Sequence, residues 1–150
     1  MKQKMIFAIC LTAFLASGIY ANTYASEATK LYNSRDIASN AEINPNWVNV
    51  AVISADLAIT NGRANMAGRV VGNVGTQSIT VNATLERANP NGTFTHIASW
   101  NNLRSNNSIW TWDRNHYVAR GHDYRLTLTA TVVRNGISEV VSESMTARAH

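Results

Sequence analysis

The sequence predicts an all-β domain, an antiparallel sandwich of about seven strands. Three observations lead to this prediction. Apolar and polar residues alternate with a period of two over several stretches, as they do in strands that bury one face. Turn-forming residues interrupt these stretches about every eight to twelve positions, a spacing typical of sandwiches. No stretch of about ten or more residues has an apolar stripe with helical periodicity.

The first three strands are each ended by turn formers. Residues 52–59 are rich in β-formers and stop at Asn61-Gly62, a pair favoured in type I′ hairpin turns. The second strand, residues 63–70, has two distinct faces, and the third, residues 79–87, alternates apolar residues with Thr, Asn and Glu. The faces of the second strand are Ala64, Met66, Gly68 and Val70 on one side and Arg63, Asn65 and Arg69 on the other. Four successive turn formers at 89–92 end the third strand.

Four more strands are predicted beyond this loop. They are residues 93–100, 109–112, 124–132 and 137–144, with a polar tract at 101–107 and an Asn135-Gly136 hairpin turn between the last two. Residues 124–132 alternate most regularly, and threonine and arginine occupy the polar face. Threonine is favoured on exposed strand faces.

Tyr124 indicates an immunoglobulin-like or fibronectin-like arrangement of the strands. It stands at the start of the penultimate predicted strand. In such sandwiches a tyrosine at this place bonds its hydroxyl to upstream backbone and forms a tyrosine corner. An ordinary core tyrosine is the alternative. Trp100 is a candidate core tryptophan, and the lack of a cysteine pair excludes an antibody-type domain.

Several short motifs, spread over roughly residues 50 to 146, together form a recognisable pattern. They are Ala55-Asp56-Leu57, the strand from Thr80 to Arg87, Asn91-Gly92, Ser99-Trp100, Tyr124-Arg125-Leu126 and Asn135-Gly136. In this pattern the chain resembles a family of short exported proteins of Gram-positive bacteria and their phages, each with a signal, a polar leader and one β-sandwich. The resemblance implies a fold and an exported location. It is silent about function and brings no catalytic residues.

The N-terminus has the three parts of a secretory signal. Lys2 and Lys4 precede an apolar stretch that is too short to span a membrane, and small residues follow. Cleavage is predicted after Ala25, with Ala21 as the alternative, and it would remove Cys10, the single cysteine. The predicted organisation is therefore a signal peptide at 1–25, a polar flexible leader at 26–47 and a sandwich domain at 48–150. A short helix from Ser39 is the alternative for the leader.

Charge argues against nucleic acid as a partner. After cleavage, 11 basic residues stand against nine acidic ones, and the arginines are scattered among neutral neighbours. A protein that follows a phosphate backbone needs its cations clustered on one face. We therefore expect no nucleic-acid partner, no membrane span after cleavage and an extracellular or cell-envelope location.

The residue types that catalysis or metal binding requires are present in this sequence, but they do not occur at the spacings of known motifs. His116 and His122, with Asp113 and Asp123, form the best candidate metal set, but their spacing is looser than zinc sites require. His96 and the terminal His150 stand apart from them. No serine occupies a nucleophile elbow, and glycine-rich phosphate loops are absent. We expect a non-enzymatic protein without a cofactor.

An aromatic group is the most suggestive functional feature. Trp110 and Trp112 share one strand face about 7 Å apart, and Tyr117 follows, with asparagines before them. This spacing suits stacking on a sugar, while burial of both indoles in the core is the alternative. The leading hypothesis is a secreted module that binds, or has a structural role, at the cell surface, with an extracellular protein or glycan as partner. A carbohydrate-binding module that uses Trp110, Trp112 and Tyr117, or a secreted toxin-like effector, is the alternative function.

Overall fold

A computed structural model describes residues 40–44 and 46–150 of the chain, and the predicted signal with Cys10 lies outside them. Every regular element among these residues is a β-strand. The strands are β1 (Asn40–Glu42), β2 (Val50–Thr60), β3 (Arg63–Gly72), β4 (Thr76–Ala88), β5 (Phe94–Ser105), β6 (Ile109–Tyr117), β7 (Asp123–Arg134) and β8 (Ile137–Arg148).

The strands form two antiparallel sheets of four. The first sheet has the order β1-β2-β3-β6 and the second has the order β5-β4-β7-β8. Their inner faces share one hydrophobic core, so the fold is a β-sandwich. The core side chains include Ile53, Leu57, Met66, Val70, Trp110 and Trp112 from the first sheet and Ile79, Val81, Leu85, Tyr124, Leu126, Leu128 and Val132 from the second. The all-β prediction and the sandwich prediction are confirmed.

Two hairpin turns follow directly from their Asn-Gly pairs. Asn61 and Gly62 have φ angles of 52° and 71°, and Asn135 and Gly136 have φ angles of 51° and 76°. A type I′ turn needs a positive φ at both central positions, which asparagine and glycine tolerate best. The turns join β2 to β3 and β7 to β8, as predicted.

The strand count differs from the prediction because β1 is an eighth strand. It lies within residues 26–47, which were predicted as a flexible leader, and it pairs with β2 through Asn40–Ala55, Ala41–Ser54 and Glu42–Ile53. Both the flexible-leader prediction and the alternative of a short helix are wrong for these three residues. Their sequence has no apolar alternation, so backbone pairing with β2 is what makes them a strand.

β5 is also longer than the predicted strand, because it continues through part of the polar tract as far as Ser105. Its pairing with β4 shifts register twice, between Val81 and Ala83 and between Leu85 and Glu86. At the first shift Asn102 has a φ of 56°, and its N–H donates to Asn82 Oδ1 at 2.9 Å. Bulges of this kind make an edge strand a poor template for pairing with another chain.

Candidate ligand-binding site

The two tryptophans of the expected aromatic platform lie in the core. Trp110 is 5% exposed and Trp112 is 9% exposed, and their rings stack with centroids 6.3 Å apart. Trp112 pairs directly with Gly68 of β3, where an added Cβ atom would lie 3.1 Å from the Trp110 ring and 2.5 Å from Leu128 Cδ1 of the facing sheet. The face that they share therefore points between the sheets, and neither ring can stack on a sugar. This corrects the hypothesis that Trp110 and Trp112 form an exposed platform.

Trp100 and His116 extend this buried group toward the edge strands β5 and β6. The Trp100 ring lies 5.4 Å from that of Trp112 and 6.2 Å from the imidazole of His116, between centroids. Trp100 is partly buried against the core, so it contributes to packing as predicted. Tilted and edge-on ring pairs of this kind stabilise a core beyond their buried area. These ring contacts pack Trp100 of β5, at the edge of the second sheet, against Trp112 and His116 of β6, at the edge of the first.

Tyr117 has the opposite environment, because its side chain is 77% exposed. It is the last residue of β6, and it pairs directly with Arg63 at the start of β3. Arg63 in turn pairs with Thr60 at the end of β2. Cβ atoms of directly opposed residues lie about 4.5–5.5 Å apart on a sheet face. Thr60, Arg63 and Tyr117 therefore form one row across three strands on the outer face of the first sheet.

An open cleft of about 420 Å³ lies along this row. Its lining consists of Thr60, Asn61, Arg63, Asn65 and Tyr117. This volume falls in the range of about 300–1,000 Å³ that is usual for small-molecule sites, most of which are lined mainly by apolar and aromatic side chains. This cleft is shallow and open, and its lining is mostly polar, with the Tyr117 ring as its one aromatic surface among the described residues. We call these five residues the Tyr117 cleft.

The backbone beside the Tyr117 cleft is held firmly. The Gly62 carbonyl accepts a hydrogen bond from Val118 N at 2.8 Å, which ties the β2–β3 turn to the end of β6. Asn65 Nδ2 donates to the Arg63 carbonyl at 3.5 Å. The cleft is therefore set by strand pairing and a tight turn rather than by a long loop.

The charge at this end of the sandwich is positive. Arg120 approaches the β2–β3 turn, with its Nε 3.9 Å from the place that a Cβ on Gly62 would take. Within the described part of the chain, the ion pairs are Arg125–Glu86 and Arg148–Asp123, so neither Arg63 nor Arg120 has a carboxylate partner there. Asp123, the acid nearest to Arg120 in sequence, is held by Arg148 Nη1 at 3.1 Å.

The candidate metal set does not assemble. Across residues 40–44 and 46–150 no three His, Cys, Asp or Glu side chains come close enough to hold a metal ion. Asp123 pairs with Arg148 and His116 packs on Trp100, whereas His96 and His122 are separate exposed residues. Among the described residues, His116, His122, Asp113 and Asp123 therefore form no group of three or more that could hold a metal ion.

Two carboxyl groups outside the Tyr117 cleft have raised pKa values. Burial raises the pKa of Asp56, whose Oδ1 is enclosed without a hydrogen-bond partner among the described residues. Burial also raises the pKa of Glu143, and the hydrogen bond and negative charge of Glu42 add to this effect. Glu42 lies on β1 and Glu143 on β8, so this pair of carboxyl groups spans the two sheets.

The sequence indicated Tyr117 but not its neighbours in the cleft. Arg63 and Asn65 were assigned to one face of the second predicted strand, and Asn61 to the turn before it, without a binding role. The signal that could have identified them is the outward arginine and asparagine directly after an Asn-Gly turn. Their proximity to Tyr117 depends on pairing between β3 and β6, which are not consecutive strands.

Comparison of the chain with known protein families, curated proteins and solved structures finds no match. Among the described residues, no helix has the length and apolar character needed to cross a membrane.

Proposed function

We propose that this chain is an exported, non-enzymatic binding module that presents the Tyr117 cleft to a ligand outside the cell. The row formed by Thr60, Arg63 and Tyr117 carries the proposal. It places an exposed aromatic ring beside an arginine that has no carboxylate partner among the described residues, on the outer face of a sheet. An arginine and a tyrosine are the residue types that contribute most to recognition when they are fixed in place.

The fold that we propose for this module is immunoglobulin-like or fibronectin-like. Tyr124 Oη donates to the carbonyl of Ala119 at 3.0 Å, across the corner that precedes β7. A tyrosine near the start of the penultimate strand that bonds to backbone a few residues upstream defines the tyrosine corner. The connection from β3 in one sheet to β4 in the other, with β6 returning to β3, supports the same arrangement.

Export is proposed from the N-terminal sequence. Lys2 and Lys4 followed by an apolar stretch and small residues have the pattern of a cleaved signal. The domain after Ala25 has no cysteine, so its fold is independent of disulfide formation. Expression of the full chain in a Gram-positive host tests this proposal. We expect product in the medium that begins at Ser26, and retention of the uncut chain inside cells would contradict it.

A glycan array, together with a binding assay on isolated cell envelopes, tests the proposed site. The secreted wild-type chain is compared with Tyr117→Ala and with Thr111→Ala, which changes another exposed side chain on β6. We expect the Tyr117 variant to lose binding and the Thr111 variant to keep it. Equal binding by all three proteins would contradict a role for the Tyr117 cleft.

A further inference from the structure

We propose that the Tyr117 cleft takes an acidic sugar of the uronic-acid type. In this arrangement Arg63 binds the sugar carboxylate, the ring of Tyr117 covers one face of the pyranose, and Asn61, Asn65 and Thr60 bind its hydroxyls. The inference rests on the proposed binding function, and it names the chemical class of the ligand.

The charge around the cleft favours an anion. Among the described residues Arg63 is the single charged residue of the lining, and Arg120 lies near Gly62 of the adjoining turn. Two acids lie on the same face of this sheet: Asp113 of β6, four residues before Tyr117, and Asp56 of β2, four residues before Thr60, each about 13 Å along its strand from the cleft row. Screening at physiological salt weakens their effect at that distance. The planar guanidinium offers paired N–H donors that match the two oxygens of a carboxylate.

The tyrosine ring favours a cyclic ligand. Its exposure at the end of β6 leaves a face free beside Arg63, at the spacing of directly opposed strand residues. The C–H groups on one face of a pyranose are apolar and pack well on an aromatic ring. A carboxylate attached to that pyranose would reach the neighbouring guanidinium while the ring stays on the tyrosine.

The remaining polar groups favour a sugar over an acidic peptide. Asn61, Asn65 and Thr60 each carry a group that both donates and accepts hydrogen bonds. Sugar hydroxyls also donate and accept, so the two sets are complementary. An acidic peptide also donates through its backbone N–H groups, but it has no pyranose face to pack on Tyr117, and a cleft built for several carboxylates would present more cations than this one.

Titration calorimetry with trigalacturonate as the probe tests the inference. The neutral trigalactose and the peptide triglutamate are measured beside it, all on the full secreted chain at low salt. We expect binding of trigalacturonate alone, with weakening as salt is added, because the contact with Arg63 is electrostatic. Binding of triglutamate as tight as that of trigalacturonate would overturn the assignment to a sugar.

Matched variants locate the site. Arg63→Gln should weaken trigalacturonate binding by about tenfold or more, the equivalent of one charge-assisted contact. Tyr117→Ala, which removes the ring that packs on the sugar, should weaken it by about the same factor. Arg69→Gln serves as the control, because Arg69 lies exposed on the same face of β3 but outside the cleft. Unchanged thermal unfolding would show that the variants are folded. Equal loss in the Arg69 variant would overturn the site.

The two proposals fail in different ways. If another array ligand binds in a Tyr117-dependent manner and trigalacturonate does not bind, the acidic-sugar inference is overturned and the binding function stands. If no ligand responds to Tyr117→Ala, both are overturned.

Discussion

The carboxylate of Glu139 on β8 accepts a hydrogen bond from the backbone N–H of Asn49, 2.7 Å away, just before β2. The same carboxylate accepts N–H groups from Val48 and Val50, each at 3.1 Å. The buried side chain of Asn49 donates in return to the carbonyls of Val132 at 3.2 Å and Ile137 at 2.9 Å. The side chains of Glu139 and Asn49 thereby link the chain at the beginning of β2, in the first sheet, to the β7–β8 hairpin of the second sheet.

Substitution of Glu139 should therefore lower the free energy of unfolding. Glu139→Gln removes the charge and one of the two acceptor oxygens, so at least one of the backbone N–H groups of Val48, Asn49 and Val50 loses its partner. We expect a loss of about 2–3 kcal/mol in the free energy of unfolding, measured by urea denaturation. Ser138→Ala, at the exposed neighbouring position, is the control and should change stability by less than about 0.5 kcal/mol. Similar values for both variants would show that the contact with Asn49 contributes little.

The hydroxyl of Tyr124 should contribute to stability through its bond to Ala119. Tyr124→Phe keeps the buried ring and leaves the Ala119 carbonyl without this donor. We expect a loss of about 1 kcal/mol in the free energy of unfolding. Tyr117→Phe is the matched control, because its hydroxyl is on an exposed ring and its loss should leave stability unchanged. An equal effect of the two substitutions would contradict a tyrosine corner.

Gly68 should tolerate no side chain while Leu128 faces it. The added methyl group of Gly68→Ala would lie 2.5 Å from Leu128 Cδ1, so the Leu128 side chain or the packing between the two sheets must shift. We expect a loss of about 1–3 kcal/mol in the free energy of unfolding, as in other overpacked cores. In a Leu128→Ala background the same change should cost less, because the methyl group then enters vacated space. Additive losses in the double variant would contradict this contact.

Stability should depend on pH through Glu143. Its pKa is raised in the folded state by burial and by Glu42, so the folded chain holds the proton more tightly than the unfolded chain. Protonation therefore stabilises the fold fully below the ordinary glutamate pKa, and this stabilisation is lost as the pH rises through the raised value.

The measurement is the melting temperature between pH 4 and pH 8 for wild type and Glu143→Gln. We expect the variant to gain stability relative to wild type as the pH rises, because it carries no charge opposite Glu42. A difference between the two proteins that stays constant over this range would contradict the prediction.

Much of this fold was predictable because its signals are local. The Asn61-Gly62 turn needs only two residues that tolerate a positive φ, and the alternation from Tyr124 onward needs only its own strand. The hydrogen bond of Tyr124 to Ala119 is also local, since both partners lie at one corner of the chain.

Tertiary structure decided which face of each strand points inward and which strands are neighbours. Alternation placed Trp110 and Trp112 on one face, but only packing against Gly68 and the second sheet made that face internal. The three residues of β1 have no alternation, and their pairing with β2 makes them a strand.

The amino-acid sequence by itself thus determined an all-β chain with its turns and its signal-like N-terminus, because backbone preferences and the period of two act over a few residues. The Tyr117 cleft was decided by the tertiary structure alone. It requires Arg63 and Tyr117 to pair across strands that are distant along the chain. That pairing is selected by burial of the whole core, which no short stretch of sequence specifies.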